Sequence, residues 1–500
     1  MTAVRGSEIT SAWPVLMSLQ AGQAAALLTT AVGVVVVSRL LGPAGYGSLT
    51  LAMAVAQYLV ILVVSWTSAS VIRLGREEFV RAHQMRGVFG TRLAIAMVCL
   101  AAASVLVWLF RTRVSGLTGI PANTLDIIVV LSLALTVADH VDGTLQASGD
   151  WTRYAWLGAV EKVVFVCAVA LIVAGGAPSL RLILVAAVTA QVARIVFGGA
   201  RILRIAHVWP PSLDANIAAR ILAYSWPLWF TFTVGYFSAF VEPFLIKRYV
   251  DTASVGVYQV AFQVSLLCAA LLGPAGTMLF PAVTTLRAQE REDVIRTLLE
   301  RLVPQAAFIV SLAIAVGTVV APFILPTVFG PGYQAALRPL QVLFIAVAFQ
   351  TLTILYGPVL AAYDMTKETA LLNTAGGIAV HLLPQLLLIP IVGTTGAALS
   401  WVIWYVCSAT VSVLLVERRL GLHLRFVLLY PLTAAAAAVL VLSLGPMAGG
   451  LGVLALVVGA VVWVRTTRLF LREDARLLKA IGVPVMIQRP AMFVYGALSS

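Results

Sequence analysis

Charge is what this sequence has least of. Only 11% of its residues are Asp, Glu, Lys or Arg, where an ordinary soluble domain carries about a quarter, and that excludes a free-standing water-soluble fold. Cysteine is scarce too: Cys99, Cys167, Cys268 and Cys407 each sit alone in an apolar run, with no CxxC pair. A disulfide framework and a Cys-based zinc site are both excluded, and the four read as small buried apolar residues. No GxxxxGK[ST] loop occurs, so no domain of this kind powers the protein from within the chain. The basic excess, 33 Lys and Arg against 20 Asp and Glu, is not gathered into a compact basic domain interleaved with aromatics, so nucleic acid is not an expected partner. No motif asks for a metal or any other cofactor.

What is present is apolar sequence: 61% of residues are hydrophobic and mean hydropathy is +1.01. A spanning helix needs roughly 20 mostly apolar residues. Fourteen runs qualify: 15–38, 46–70, 88–110, 124–147, 154–175, 179–203, 220–246, 254–282, 302–325, 335–361, 368–390, 395–416, 426–444 and 450–469. The expectation is an all-α polytopic membrane protein of about fourteen transmembrane helices. The first run is too long for a signal-peptide core and lacks a small-residue cleavage site, so it reads as a span. With the N-terminus inside, 24 of the 33 basic residues fall in inner segments, 7 in outer ones, and Lys162 and Arg194 within spans. That asymmetry puts both termini in the cytoplasm. Residues 286–302 and the basic tail from Arg465 read as amphipathic helices lying on the inner membrane surface against anionic lipid.

The chain writes one turn twice. A shift of 209 lays Arg39 on Arg248 and Gly47 on Gly256; a shift of 214 lays Asp150 on Asp364, Thr152 on Thr366 and Arg153 on Lys367. Similar shifts at two distant places indicate a duplication of six spans. An even span count gives the copies one orientation, a parallel repeat about an axis along the membrane normal. The expected parts are a six-helix lobe over 13–205, a second over 218–418, two additional helices over 426–469 and a basic cytoplasmic tail over 470–500.

Three stretches carry a family likeness: SRLLGPAGYGSLTLA after the first span, VFGPGYQAA before the tenth and LLLIPIVGTTGAALSW between the eleventh and twelfth. With these LGPxxYG and PxxGxxGAA patterns the chain resembles the polysaccharide transport branch of the multidrug/oligosaccharidyl-lipid/polysaccharide (MOP) exporter superfamily, which includes O-antigen flippases. The resemblance implies two six-helix lobes plus two helices, alternating access, and a polyprenyl-diphosphate-linked saccharide as cargo in the bacterial cytoplasmic membrane. It also implies membrane lipids, a polysaccharide polymerase and glycosyltransferases as pathway partners. Two alternatives stay open. One is a cation-coupled multidrug extruder of the same superfamily. The other is a membrane glycosyltransferase or polymerase, against which stands the lack of any outward segment longer than about fifteen residues.

Ionisable groups inside spans are costly and therefore candidates for function. The fourth run holds Asp139, His140 and Asp142, and the fifth Glu161 and Lys162. Asp139 and Lys162 lie at similar depth about one hairpin turn, so Lys162 is expected to pair with Asp139 or Asp142. The cluster reads equally as an ion-responsive site and as a structural ion pair between helices. Glu242 is a further ion-coupling candidate, or a partner of Lys247 or Arg248. His381, one helical turn from Gln385, reads as a satisfied, neutral histidine. For the cargo's diphosphate, Arg194, Arg201 and Arg204 form a cationic stripe toward one end of the sixth run, with Arg194 deepest and Arg73 a weaker candidate; snorkelling to lipid headgroups explains Arg201 and Arg204 equally well. On this reading Arg194 is free to take the phosphate, and its loss should spare protein levels; Arg287 is an inert surface residue. Lone glutamines such as Gln57 and Gln191 are candidate cavity lining.

Overall fold

The computed structural model describes residues 7–176, 178–270, 272–466 and 469. Within them the chain is helical and contains no strand, as it must be where hydrocarbon offers backbone groups no partner. It parts into two compact units, Met1–Gln259 and Val260–Ser500. The first holds α1 (Ser7–Val63), α2 (Ser68–Ala82), α3 (Arg86–Leu109), α4 (Arg111–Thr118), α5 (Ala122–Ser148), α6 (Trp151–Ala174), α7 (Leu180–Ile205) and α8 (Ala215–Tyr249). The boundary falls inside α9 (Thr252–Ala270). The second holds α10 (Gly273–Ala288), α11 (Glu292–Thr297), α12 (Val303–Phe329), α13 (Leu337–Ala362), α14 (Thr366–Gly376), α15 (Leu383–Val392), α16 (Thr394–Leu420) and α17 (Pro431–Thr466).

Among the described residues eleven helices are long and apolar enough to cross a membrane, or twelve if α8, bent by 42° between its halves Ala215–Phe230 and Phe232–Tyr249, is counted as one. This is a multi-pass membrane protein. Two of these helices are not straight runs. α1 leaves helical geometry only at Gly42 (φ 64°, ψ 178°), and α17 only at Gly445 (φ 81°, ψ 172°). Glycine adopts that left-handed φ without steric penalty, so each helix is interrupted at a single residue.

Three expectations need correction. The second run does not continue to residue 70: α1 stops at Val63, and a 3₁₀ turn (Ser65–Thr67) leads into the charged α2. The eighth run is divided into α9 and α10. Residues 286–302 do not lie on lipid. A π-helical turn (Leu298–Leu302) carries α11 directly into α12, so Ile295, Leu298, Leu299 and Leu302 continue its apolar face into a core with Phe308, Tyr356 and Val413. The tail over 470–500 lies outside the described residues.

Local chemistry sets the helix ends that matter for function. Gly149 (φ 85°) terminates α5 in the αL conformation that glycine favours at that position. The next residue, Asp150, accepts from Arg153 N at 3.2 Å and starts α6, as N-cap acids do. The Gly-Asp turn thereby fixes the α5–α6 hairpin. A core of Met85, Val141, Leu145, Leu157 and Ile202 packs beneath it. α2 is pinned at both flanks. Glu78 accepts from Gly87 N and Val88 N at 2.9 and 2.8 Å, capping α3, and Arg220 donates to Glu77 at 2.8 Å, a hydrogen bond that holds the Glu77 carboxyl below its ordinary range.

One cap recurs in each unit. Arg76 Nη1 donates to Ser148 O (3.3 Å) at the end of α5. Arg287 Nη1 donates to Ala362 O (2.6 Å) at the end of α13, and to Asp364 (3.0 Å), with the guanidinium 4.9 Å from the Tyr363 ring. The shift of 214 carries Ser148 to Ala362 and Asp150 to Asp364. Arg287 is thus not an inert surface residue: it closes the end of a buried helix.

Candidate functional site

The hairpin turn places Asp142 about 12 Å and Glu161 about 16 Å from Asp150 at 1.5 Å per residue, so the two acids meet at one level. α7 packs on both α5 and α6 and brings Arg194 between them. Arg194 Nη2 and Nε both bind the Asp142 carboxylate, Nε at 3.3 Å, and Nη1 binds Glu161. The guanidinium fork matches carboxylate geometry, and here all three of its edges are used. Lys162 Nζ donates to Glu161 Oε1 at 2.8 Å. The expected pairing of Lys162 with Asp139 or Asp142 is therefore wrong. Glu161, its own neighbour in sequence, is closer and is already held by Arg194.

Asp139 has a different partner. Arg92, in the second turn of α3, is fully buried. Its Nη2 binds Asp139 at 2.6 Å and Ser68 Oγ at 3.0 Å, Nε binds Thr67 Oγ1 at 2.9 Å, and Nη1 lies 3.1 Å from His140 Nδ1. A guanidinium only donates, so His140 Nδ1 accepts and the imidazole in this arrangement is neutral. Arg92 thus fixes the 3₁₀ break after α1 and aims Asp139; it is a positioning residue. A signal was available, since position 92 lies four residues inside its own apolar run, beginning at 88.

Two cavities open on this cluster. The larger, about 380 Å³, is lined by Gln57, Ser65, Asp139, Asp142, Gln191 and Arg194, with Phe232 and Tyr236 of α8. The smaller, about 160 Å³, is lined by Thr29, Thr30, Tyr46, Glu161, Lys162 and Gln191 among apolar residues. Three cations (Arg92, Lys162, Arg194) face three acids (Asp139, Asp142, Glu161), and their formal charges cancel. An anion reaching Arg194 would have to displace a carboxylate. Lys162, with 38% of its side chain exposed and three donors of which one is used on Glu161, is the cation with capacity to spare.

The other candidates lie apart. Arg201 binds Asp150 at 2.7 Å and Arg204 is exposed, so the stripe from Arg194 is not a row of free cations. Arg73 is exposed, 3.6 Å from Glu77 and over the Tyr224 ring. Glu242 is buried on α8 and lines neither cavity. His381 is buried against Gln385 (3.1 Å) and Trp401, as expected of a satisfied histidine. Among the described residues no group of three His, Cys, Asp or Glu could hold a metal ion.

The fold is that of the MOP-superfamily transporters. An inward-facing multidrug resistance MATE family transporter superposes with a TM-score of 0.69 at 12% identity, covering 81% of this chain and 98% of its own. The lipid II flippase MurJ, in an inward closed conformation, gives 0.69 at 12% identity over 91% and 99%. A MOP transporter from Pyrococcus furiosus gives 0.57 at 12% identity over 81% and 95%. The chain belongs to the polysaccharide biosynthesis protein family, which it matches over residues 16–287. No curated protein matched the sequence.

Proposed function

We propose that the protein is a flippase that carries a polyprenyl-diphosphate-linked oligosaccharide across the bacterial cytoplasmic membrane by alternating access, for assembly of cell-surface polysaccharide. The observation that carries this reading is a cluster of three cations and three acids that opens on two cavities, in a chain whose family is polysaccharide biosynthesis. A diphosphate brings about two negative charges, which apolar surroundings cannot accept without compensation. Lys162 offers the first contact, and Arg194 becomes available as Asp142 or Glu161 yields. Depleting the protein from its host should leave lipid-linked saccharide on the inner leaflet, and wild type should clear it. Lys162→Met should clear it roughly tenfold or more slowly, a charged hydrogen bond being worth about 1.5–3 kcal/mol. Clearance at the wild-type rate would remove Lys162 from the phosphate path. The extruder alternative draws on the acids that line the larger cavity, and predicts export of organic cations with no effect on the saccharide.

The topology belongs to the same proposal. α1 and α17 each cross twice, turning at Gly42 and Gly445, which brings the crossings to fourteen. The lobes over 13–205 and 218–418 are copies, a reading that the recurring Arg76 and Arg287 caps support. Both termini are cytoplasmic, and polymerase and glycosyltransferases act on either side of this step. A cysteine replacing Lys367 should react only from the cytoplasmic face and one replacing Arg338 only from the outside. The reverse pattern would overturn the orientation.

A further inference from the structure

The turn that the sequence writes twice meets itself. The second arm of α1 begins at Pro43, directly after the Gly42 break, and carries Gly47 four residues on. α9 begins at Thr252, after a break at Val250 (φ −121°, ψ −96°), and carries Gly256 four residues on; Asp251 caps its first turn by accepting from Ser254 N at 2.6 Å. A Cβ on Gly47 would collide with Thr252 O and stand 3.0 Å from Gly256 N. A Cβ on Gly256 would collide with Pro43 O and stand 2.8 Å from Gly47 N. The shift of 209 sends Pro43 to Thr252 and Gly47 to Gly256, so the contact maps onto itself, as in an isologous interface. All four residues lie in the first compact unit.

We propose that this crossing is a latch over the Lys162 cavity, closed by backbone against backbone and opened by swinging the two arms about Gly42 and Val250. Tyr46 and Leu49, on either side of Gly47, line the same cavity as Glu161 and Lys162, so a swing of the α1 arm away from α9 moves two residues of that cavity's wall. At the crossing itself the main chains touch. Close helix backbones hold through dispersion and weak Cα–H···O contacts, which can separate in a transport cycle. Glycine is required on both arms because any Cβ pushes a carbonyl away. The role of the latch rests on the transporter reading; its existence does not.

The test reads conformation, not transport. A cysteine replacing Leu49 is buried when the latch is shut. Its increment in labelling by a membrane-impermeant maleimide should rise at least roughly tenfold in Gly47→Ala and in Gly256→Ala, as ~1.4 kcal/mol of lost closure implies. Gly158→Ala, whose Cβ meets nothing within 4 Å, should leave it unchanged. Wild-type labelling in folded Gly47→Ala and Gly256→Ala would overturn the latch. Should the alanine variants not accumulate, hydrogen exchange on the wild type decides. A latch requires segments 43–51 and 252–260 to open together, and independent opening rates overturn it. If labelling rises as expected while no lipid-linked saccharide is moved by wild type, the latch stands and the flippase reading falls.

Discussion

Arg194→Ala should remove most of the folded protein from the membrane, and transport with it. Arg194 is the shared partner of two acids whose side chains are 13% and 7% exposed. Removing one member of a buried ion pair costs about 3–5 kcal/mol, because the remaining charge is left without compensation; here Asp142 is stranded, and Glu161 keeps only Lys162. A whole domain is stable by only about 5–15 kcal/mol. The stripe read from sequence made Arg194 a free cation whose loss would spare protein levels; its three engaged edges reverse that expectation. The companion variant Arg194→Met/Asp142→Leu/Glu161→Gln replaces the network with side chains of similar volume. Its thermal midpoint in detergent should return close to wild type while saccharide transport stays absent. If Arg194→Ala alone gives a wild-type midpoint and yield, the ion network does not hold α5, α6 and α7 together.

Arg92→Ala is the second large effect. It strands Asp139, strips Thr67 and Ser68 of a donor, and frees the 3₁₀ turn that joins α1 to α2. Arg92→Ala/Asp139→Asn should be more stable than Arg92→Ala, since the orphaned charge is gone. Arg92→Lys should recover only part, because an ammonium cannot span Asp139, Thr67 and Ser68 as the fork does. Melting the single and double variants side by side decides it. If their effects add to within about 0.5 kcal/mol, as independent sites do, Arg92 and Asp139 are not coupled.

Composition and the spacing of apolar runs were enough to read an all-helical membrane protein, because hydrocarbon permits so few backbone arrangements. They were also enough to find Asp139, Asp142, Glu161, Lys162 and Arg194, because charge stands out against apolar sequence. What they left open is pairing. Depth along a hairpin placed Lys162 level with Asp139, but azimuth decides which side chains meet, and azimuth depends on how α3 and α7 pack. Arg92 escaped notice because it sits near a helix end, where arginine ordinarily reaches out to headgroups; here it points into α5. The helix over 286–302 was misplaced for a related reason: an amphipathic pattern shows that one face is covered, not whether lipid or protein covers it. Gly47 and Gly256 were legible as a repeat, but their contact is a property of backbone separation that no side-chain pattern reports.

The most direct measurement is made with the purified protein reconstituted into sealed vesicles carrying a polyprenyl-diphosphate-linked oligosaccharide, scored by the fraction of that lipid exposed on the opposite leaflet. Flippase activity predicts that wild type moves the lipid faster than empty vesicles and that Lys162→Met, folded to the same midpoint, moves it roughly tenfold more slowly. Wild-type vesicles that expose the saccharide no faster than empty ones would contradict it.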